Sequence, residues 1–242
     1  MGAGLIRILA PAENREIIQT SLPEAVLSVY QTDQINENML QDALQWSNCI
    51  LAGPGIGTGK EAEAILLFLV KNSTCPMIID ADAINLIAKN QKIRQLIKEK
   101  TKSGQKIIIT PHMGELARLS DKTISDLKEK IIQTAITLSR ELGVVLVCKD
   151  ARTIVADGIN TDHVYINTNG NQGMATAGSG DVLAGIITGI AGQKVDAFEA
   201  AKLGVLIHAA SGDIAFEKYG GYAMMASDLI EHLKDVTTCK NK

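Results

Sequence analysis

The sequence predicts an α/β protein, with a doubly wound, mostly parallel central sheet and helices on both faces. Short apolar runs rich in Ile, Val and Leu recur without polar–apolar alternation, which is typical of strands buried on both faces. Helical patterns separate these runs, as in folds that cover a parallel sheet with helices. With 242 residues, of which 46% are hydrophobic and 21% charged, the chain is long enough for one large core.

The first half of the chain contains four apolar runs of strand length. They occupy residues 5–9, 49–52, 77–80 and 106–110. A helical pattern covers residues 60–71, a second helical region follows Asp80, and Pro111 ends the fourth run. This alternation of strands and helices predicts a parallel sheet.

The second half is predicted to contain a long helix at 122–142 and a buried strand at 144–148. Runs at 153–156 and 164–166 flank the turn residues Asp157-Gly158, which predicts a hairpin. Three helices follow, at about 181–191, 196–217 and 226–236. Because no repeat or interdomain linker interrupts the pattern, we expect a single domain over residues 1–242.

A Gly-rich segment, residues 167–185, runs directly into an apolar helix. Its residues Gly178, Ser179 and Gly180 can turn backbone N–H groups toward an anion, and the start of the helix adds its positive dipole end. Asp181 lies beside that anion, where a carboxylate is costly unless it takes a proton from an attacking hydroxyl. The segment therefore predicts nucleotide binding and phosphoryl transfer, although Asp in a first turn also fits a plain helix cap.

Four further loops follow predicted strands, and the carboxyl ends of parallel strands meet at the edge where such sheets bind ligands. The Gly-rich loop 53–59 allows close backbone approach, but it equally fits a strand-to-helix turn. Asp80 and Asp82 can bind water or Mg²⁺, while solvated loop acids or a cap for a helix from Ala83 are the favoured interpretation.

The other two loops, at residues 111–115 and 149–152, carry candidate groups for a substrate, a metal ion and phosphates. His112 can donate to a substrate, and Glu115 can hold Mg²⁺ or serve only the helix dipole. Lys149 and Arg152 can neutralise nucleotide phosphates, or they can simply begin an exposed hairpin.

Composition excludes several partners. The net charge is −3 with no basic run, and aromatic residues make up 3%, so nucleic acid is not expected as a partner. Four scattered cysteines, Cys49, Cys75, Cys148 and Cys239, form no Cys-x-x-Cys pair and predict reduced thiols in a cytoplasmic protein. No transmembrane run or signal peptide is visible, and no membrane association is expected.

Five segments together resemble a known family. They are residues 52–57 (Ala-Gly-Pro-Gly-Ile-Gly), 80–85 (Asp-Ala-Asp-Ala-Ile-Asn), 110–115 (Thr-Pro-His-Met-Gly-Glu), 149–153 (Lys-Asp-Ala-Arg-Thr) and 171–181 (Asn-Gln-Gly-Met-Ala-Thr-Ala-Gly-Ser-Gly-Asp). In order and approximate spacing, from residue 2 to about 235, the chain resembles the ADP- or ATP-dependent NAD(P)H-hydrate dehydratases of the ribokinase-like superfamily. The Gly-Ser-Gly-Asp element is shared with sugar and vitamin kinases of that superfamily, so such a kinase is the alternative. The segments around His112 and Asn171 weigh against it.

The resemblance implies repair of hydrated nicotinamide cofactor. The hydroxyl of the (S)-hydrate is phosphorylated with ADP or ATP and Mg²⁺, and elimination of phosphate restores NADH or NADPH. It further implies a homotetramer.

The resemblance also implies roles for individual residues. Asp181 would be the base, beside an anion hole formed by Gly178, Ser179 and Gly180. The implied nucleotide contacts are Lys149, Asp150, Ala151, Arg152, Thr153 and Gly180. The implied contacts to the hydrated dinucleotide are Gly57, His112 and Asp181. Glu115 would act on Mg²⁺ through water.

The chain departs from the family pattern at its start. Family members have a strand, a Gly-containing loop and a helix before the segment that matches residues 2–6, and the loop touches the hydrated dinucleotide. The sequence is therefore expected to be truncated, to leave apolar surface bare and to bind nucleotide while clearing the hydrate poorly. A nucleotide-binding remnant with little turnover is the second alternative. Ala177 also stands where the family usually has Gly.

Overall fold

The computed structural model describes residues 1–31, 35–160 and 162–237. Its strands are β1 (Arg7–Pro11), β2 (Val26–Tyr30), β3 (Ile50–Ala52), β4 (Met77–Ile79), β5 (Ile107–Ile109), β6 (Val145–Cys148), β7 (Ile154–Asp157) and β8 (Val164–Ile166). Its α-helices are α1 (Arg15–Ser21), α2 (Glu37–Trp46), α3 (Lys60–Asn72), α4 (Ala81–Lys89), α5 (Gln91–Lys102), α6 (Met113–Ser120), α7 (Ile124–Leu142), α8 (Ser179–Ala191), α9 (Ala197–Tyr219) and α10 (Ala226–Thr237).

Six strands form the central sheet in consecutive order, from β3 to β8. The four strands β3 to β6 are parallel, while β7 and β8 return antiparallel as the predicted hairpin. The central strands β4, β5 and β6 are buried along their whole length. The predicted mostly parallel α/β sheet is confirmed.

Side chains of the central strands alternate between two apolar layers. Ile79 and Ile109 pack with helices α3 to α7 on one face, and Ile78 and Ile108 pack with α8 and α9 on the other. Burial on both faces explains why these strands are continuous apolar runs in the sequence. The carboxyl ends of β3 to β6 remain open between the layers, which is where the predicted loops emerge.

The first predicted strand does not join this sheet. β1 starts two residues later than predicted and pairs in parallel with β2 in a separate two-stranded sheet. Tyr30 from β2 packs there with Leu40 of α2 and Ile65 of α3. The sequence patterns led to no prediction for β2, α1 and α2.

No helix in the described ranges is long and apolar enough to cross a bilayer. Cys49, Cys75 and Cys148 are free thiols, and Cys239 lies outside the described residues.

Candidate active site at the carboxyl ends of the parallel strands

Helix α8 begins at the Gly-rich segment, two residues earlier than predicted. Gly178 is its N-cap and adopts the left-handed region with φ +85°, a conformation that favours glycine. The N–H of Ser179 donates to the carbonyl of Thr176 over 3.3 Å, so the donors left for an anion in the first turn are those of Gly180 and Asp181. The turn thus supplies backbone N–H groups and the positive end of the helix dipole at one point.

Lys149 joins three elements at this point. Its N–H donates to the carbonyl of Pro111 over 2.8 Å, which extends the pairing of β5 and β6 by one step to His112. Its Nζ lies 2.7 Å from Oδ1 of Asp80 at the end of β4. The ammonium also lies against Gly180, where a Cβ would come within 3.2 Å of Nζ. A positive charge therefore lies beside the first turn of α8.

The favoured interpretation of Asp80 as a solvated loop acid or a helix cap is wrong. Asp80 is 1% exposed, its carboxylate is ion-paired with Lys149, and, although it occupies the N-cap position of α4, its side chain accepts from no backbone N–H of that helix in the described structure. A buried carboxylate needs such a partner because desolvation of an unpaired charge is costly. Helix α4 starts at Ala81 rather than Ala83, and Ala81 has a strained positive φ of +50°.

Asp181 lies on the exposed side of the first turn of α8. Partial burial and the nearby Asp80 carboxylate raise the pKa of Asp181, and the Lys149 ammonium opposes them. A raised pKa makes the Asp181 carboxylate a stronger proton acceptor. The geometry thus places a carboxylate, a cation and backbone donors around one site.

His112 and Glu115 form a capping box at the start of α6. The His112 N–H donates to Oε2 of Glu115 over 2.9 Å, and Nδ1 of His112 accepts from the N–H of Gly114 over 3.0 Å. With Nδ1 as an acceptor, the proton belongs on Nε2, which lies 3.2 Å from Oε1 of Glu115. Burial, then Lys149 and Arg118, lower the pKa of His112, with Asp80 opposing, so the ring is a neutral donor at neutral pH.

Glu115 is 4% exposed, and desolvation raises the pKa of its carboxyl although the His112 N–H and Lys149 oppose the rise. Both of its oxygens contact His112, so a direct metal bond would compete with the capping box. No cluster of three or more His, Cys, Asp or Glu side chains suited to a metal occurs in the part of the chain that the structure describes. The single carboxylate of Glu115 fits a Mg²⁺ ion that is bound mainly by water and nucleotide phosphates, which is how Mg²⁺ commonly binds.

The Gly-rich loop after β3 is fixed to the start of α4. Gly53 has φ +131°, and a Cβ there would overlap the carbonyl of Asp80. The N–H of Gly57 donates to Oδ2 of Asp82 over 2.9 Å. Gly57 is thus held at the rim of the site, and Asp82 orients this loop.

The loop after β6 contributes mainly to the rim. Asp150, Ala151 and Arg152 are exposed, and Arg152 makes no ion pair within the described ranges. Thr153 is partly buried, and its carbonyl accepts from the N–H of Asn167 over 2.9 Å. Of this predicted group, Lys149 alone lies beside the first turn of α8, while Arg152 is available at the edge.

Three residues of this region were not predicted as site residues. Asp80 was considered as a loop acid, a helix cap or a ligand of water or Mg²⁺ but was not assigned to the site, and His208 and Asp213 lie within a predicted helix. Asp213 accepts from the N–H of Gly170 and from Nδ2 of Asn171, over 3.1 and 3.0 Å, and so ties the Gly-rich segment to α9. His208 and Asp213 are polar positions within an otherwise apolar helix, and this was the available signal, but their partners lie 29 to 43 residues away.

The sequence profile of the NAD(P)H-hydrate dehydratase family matches residues 1–235. The chain is 37% identical over 242 residues to the bifunctional NAD(P)H-hydrate repair enzyme Nnr of Moorella thermoacetica, covering 96% of this chain and 43% of that protein. It is 33% identical over 203 residues to the ADP-dependent (S)-NAD(P)H-hydrate dehydratase of Neisseria meningitidis, covering 84% and 67%. The chain therefore spans less than half the length of the bifunctional relatives that it matches.

Among solved structures, the ADP/ATP-dependent NAD(P)H-hydrate dehydratase of Bacillus subtilis, crystallised with ATP/Mg²⁺, superposes with a TM-score of 0.78 and 24% identity, covering 97% of this chain and 79% of that one. This similarity confirms the predicted ribokinase-like fold. The resemblance that the five segments suggested is confirmed as well. The chain belongs to the NAD(P)H-hydrate dehydratase family.

Proposed function

We propose that this chain catalyses the nucleotide-dependent dehydration of the (S)-hydrate of NADH or NADPH. The observation that carries the proposal is the position of Asp181, at the first turn of α8 beside the Lys149–Asp80 ion pair. Membership of the family supports this reaction over the kinase alternative. The Neisseria relative is described as ADP-dependent, and the Bacillus structure was obtained with ATP/Mg²⁺.

In the first step, Asp181 accepts the proton of the hydrate hydroxyl. The hydroxyl oxygen attacks the terminal phosphorus of ADP or ATP, and the bond from that phosphorus to the bridging oxygen breaks, releasing AMP or ADP. The N–H groups of Gly180 and Asp181 and the charge of Lys149 stabilise the transferred phosphoryl group. Mg²⁺, when bound, supplies further charge neutralisation at the phosphates.

In the second step, the phosphate ester is eliminated. The carbon–oxygen bond breaks with its electron pair on the phosphate, and a proton leaves the neighbouring carbon, so that the ring double bond of NADH or NADPH is restored. Phosphorylation converts a poor leaving group, hydroxide, into a good one. This explains why a dehydration consumes a nucleotide.

The remaining predicted residues are proposed to bind the two substrates. Arg152 and the loop 149–153 would lie along the adenine nucleotide, and Gly57 with His112 would contact the hydrated dinucleotide. His112 suits this role because its neutral ring is 54% exposed on the side chain. Glu115 would act on Mg²⁺ through water.

We further propose a homotetramer that works in the cytoplasm without nucleic acid or membrane partners. The homotetramer is supported by exposed apolar side chains on α9, among them Leu203 and Leu206. The cytoplasmic location is supported by the free thiols. Light scattering coupled to gel filtration would measure the oligomeric state directly.

The test of the proposed function is an assay of the purified chain with purified (S)-hydrate. Absorbance at 340 nm should rise only when ADP or ATP and Mg²⁺ are present. One phosphate and one AMP or ADP should form per NADH or NADPH. A stable phosphorylated product without a rise at 340 nm would instead favour the kinase alternative.

A further inference from the structure

His208 on α9 lies directly behind the first turn of α8. Its Nε2 is 3.3 Å from Oγ of Ser179, and the two residues are 8% and 7% exposed. The neighbours Gly178 and Asp181 are exposed, so Ser179 is the residue of this turn whose side chain faces the protein interior. Its hydroxyl is therefore placed to anchor the turn.

The turn has few other means of being fixed. Gly178 and Gly180 carry no side chains, and Gly178 as N-cap offers no side-chain acceptor of the kind that Ser, Thr, Asp or Asn provides. Glycine also has the widest choice of backbone conformation. The hydrogen bond of Ser179 is thus the side-chain anchor available within residues 178–180.

Close packing holds His208 in place. Gly204 and Gly212 lie four residues before and after it, on the same face of α9. A Cβ at Gly204 would lie 2.5 Å from Cγ1 of Ile187 in α8, and a Cβ at Gly212 would overlap the side chain of Met174. The backbone of α9 therefore abuts both α8 and the Gly-rich segment, with the imidazole between the two contacts.

The imidazole is neutral at physiological pH. Its pKa is lowered to about 4, mainly by burial and to a smaller extent by the Lys149 ammonium, while a hydrogen bond to the backbone of Ser179 opposes the decrease. A neutral ring adds no charge to the phosphate site. What His208 supplies is a directional hydrogen bond.

We infer that His208 is a positioning residue for the proposed reaction. Through Ser179 it fixes the first turn of α8. The fixed turn directs the N–H groups of Gly180 and Asp181, and the Asp181 carboxylate, toward the transferred phosphoryl group. This inference rests on the proposed function, because the phosphoryl group and the base are assigned there. Small errors in such an orientation reduce the rate strongly, since the donors must match the transition state.

The variants His208→Leu and His208→Gln separate this role from packing. Leu removes the hydrogen bond, whereas the amide nitrogen of Gln reaches about as far as Nε2 of His. We expect His208→Leu to lower kcat about 10- to 100-fold, less than the ~10²–10³ seen when an anion-hole donor is removed outright, with KM for the hydrate little changed. His208→Gln should recover most of the lost kcat.

Two further variants complete the design. Ser179→Ala should reproduce the effect on kcat, and the double variant should be no slower than either single one, because both remove the same bond. If His208→Leu fails to fold, the pair Ser179→Ala and His208→Gln still decides the question. The matched control is His232→Leu, which should leave kcat unchanged. His232 is another buried histidine, on α10 and 5% exposed, and its Nε2 has no partner among the described residues.

The outcomes distinguish this inference from the proposed function. A wild-type chain that is inactive with hydrate, nucleotide and Mg²⁺ would overturn the proposed function. The inference would then be tested by the ratio of the AMP to the ADP dissociation constant. This ratio should be larger for the wild type than for His208→Leu, because a fixed turn binds the additional phosphate of ADP better. An active wild type with a His208→Leu variant of equal kcat, or with a drop that His208→Gln does not restore, would overturn the inference alone.

Discussion

The Lys149–Asp80 pair is the central electrostatic feature at the scale of single residues. The carboxylate of Asp80 is 1% exposed, so its charge depends on the ammonium 2.7 Å away. Such a pair is costly to break, because the charge that remains loses its partner in a region that is at least partly buried. The same pair places positive charge beside Gly180 and negative charge near Asp181, which links stability to chemistry.

We expect Asp80→Asn to lower the free energy of unfolding by roughly 1–3 kcal/mol, since the partly buried Lys149 ammonium keeps only a neutral acceptor. Urea denaturation at pH 7 measures the change. The neighbouring variant Asp82→Asn is the control, because its amide oxygen can still accept from the N–H of Gly57. An equal loss in both variants would argue against a special role for the ion pair.

The same substitution should shift the pH dependence of activity. Asp80 raises the pKa of Asp181, and Lys149 lowers it. Removing the negative charge of Asp80 therefore lowers the pKa of Asp181 and moves the acid limb of the kcat/KM profile to lower pH. A profile that stays in place, or moves to higher pH, would contradict the assignment of that limb to Asp181.

Ala81 provides a test of backbone strain at the edge of the site. Its φ of +50° costs a residue with a Cβ roughly 1–2 kcal/mol, whereas glycine accepts this conformation freely. Ala81→Gly should thus raise the stability, although the greater flexibility of glycine in the unfolded chain offsets part of the gain. Ala88→Gly, at an ordinary position of α4, should instead lower it by about 0.5–1 kcal/mol.

The sequence predicted the site at residue scale only in part. The positions of Asp181, Lys149, His112 and Glu115 at this edge of the sheet could be predicted, because each follows a strand or begins a helix in a recognisable motif. Their roles in binding and catalysis stay predictions. The role of Asp80 could not be predicted, because its partner Lys149 is 69 residues away. Contacts between distant segments leave no local pattern.

At the scale of elements, predictability followed burial. Most strands and helices from β3 onward were predicted to within a few residues, since helices cover both faces of the sheet and leave continuous apolar runs. The exceptions are α4 and α5, which were predicted only as one helical region, and α6, for which no bounds were predicted. Helix α1 has no buried residue and α2 has only Leu40, so both helices contribute little to the core. Strand β2 is half-exposed, and its Ser28 bonds to Arg7 rather than to the core.

The contact between α8 and α9 gives a matched pair of glycine substitutions. A Cβ at Gly204 of α9 would lie 2.5 Å from Cγ1 of Ile187, whereas a Cβ at Gly185 of α8 would meet nothing within 4 Å. Gly185→Ala should raise the stability by about 0.5–1 kcal/mol through helix propensity. Gly204→Ala should lower it by about 1–3 kcal/mol through overpacking, as judged by thermal unfolding. Equal effects in the two variants would contradict the close approach of the helices.

At the scale of the whole molecule, the loops meet because four parallel strands end at one edge of the sheet. Segments that are far apart in the sequence, at residues 53–59, 80–82, 111–115, 149–153 and 178–181, are thereby brought together. Two helical layers on a sheet with buried central strands make this edge a stable base for them. The single architectural choice of a mostly parallel sheet thus assembles the site.

Adenine nucleotide should stabilise the whole fold, because it binds the native state and not the unfolded chain. At 100 times its dissociation constant the gain is about 2.7 kcal/mol, which thermal unfolding detects as a higher Tm. Lys149→Ala should reduce this shift. Lys98→Ala, which removes a surface ion pair with Glu141 away from the site, should retain it, and a loss in both variants would contradict a local role of Lys149.

The central claim is that Asp181 is the base that starts phosphoryl transfer to the hydrate. The most direct test is to measure kcat of Asp181→Asn at 340 nm with saturating (S)-hydrate, nucleotide and Mg²⁺. An amide cannot accept the hydroxyl proton, so kcat should fall by ~10²–10⁴ while the dissociation constant for ADP stays nearly unchanged. A kcat close to that of the wild type would contradict the claim.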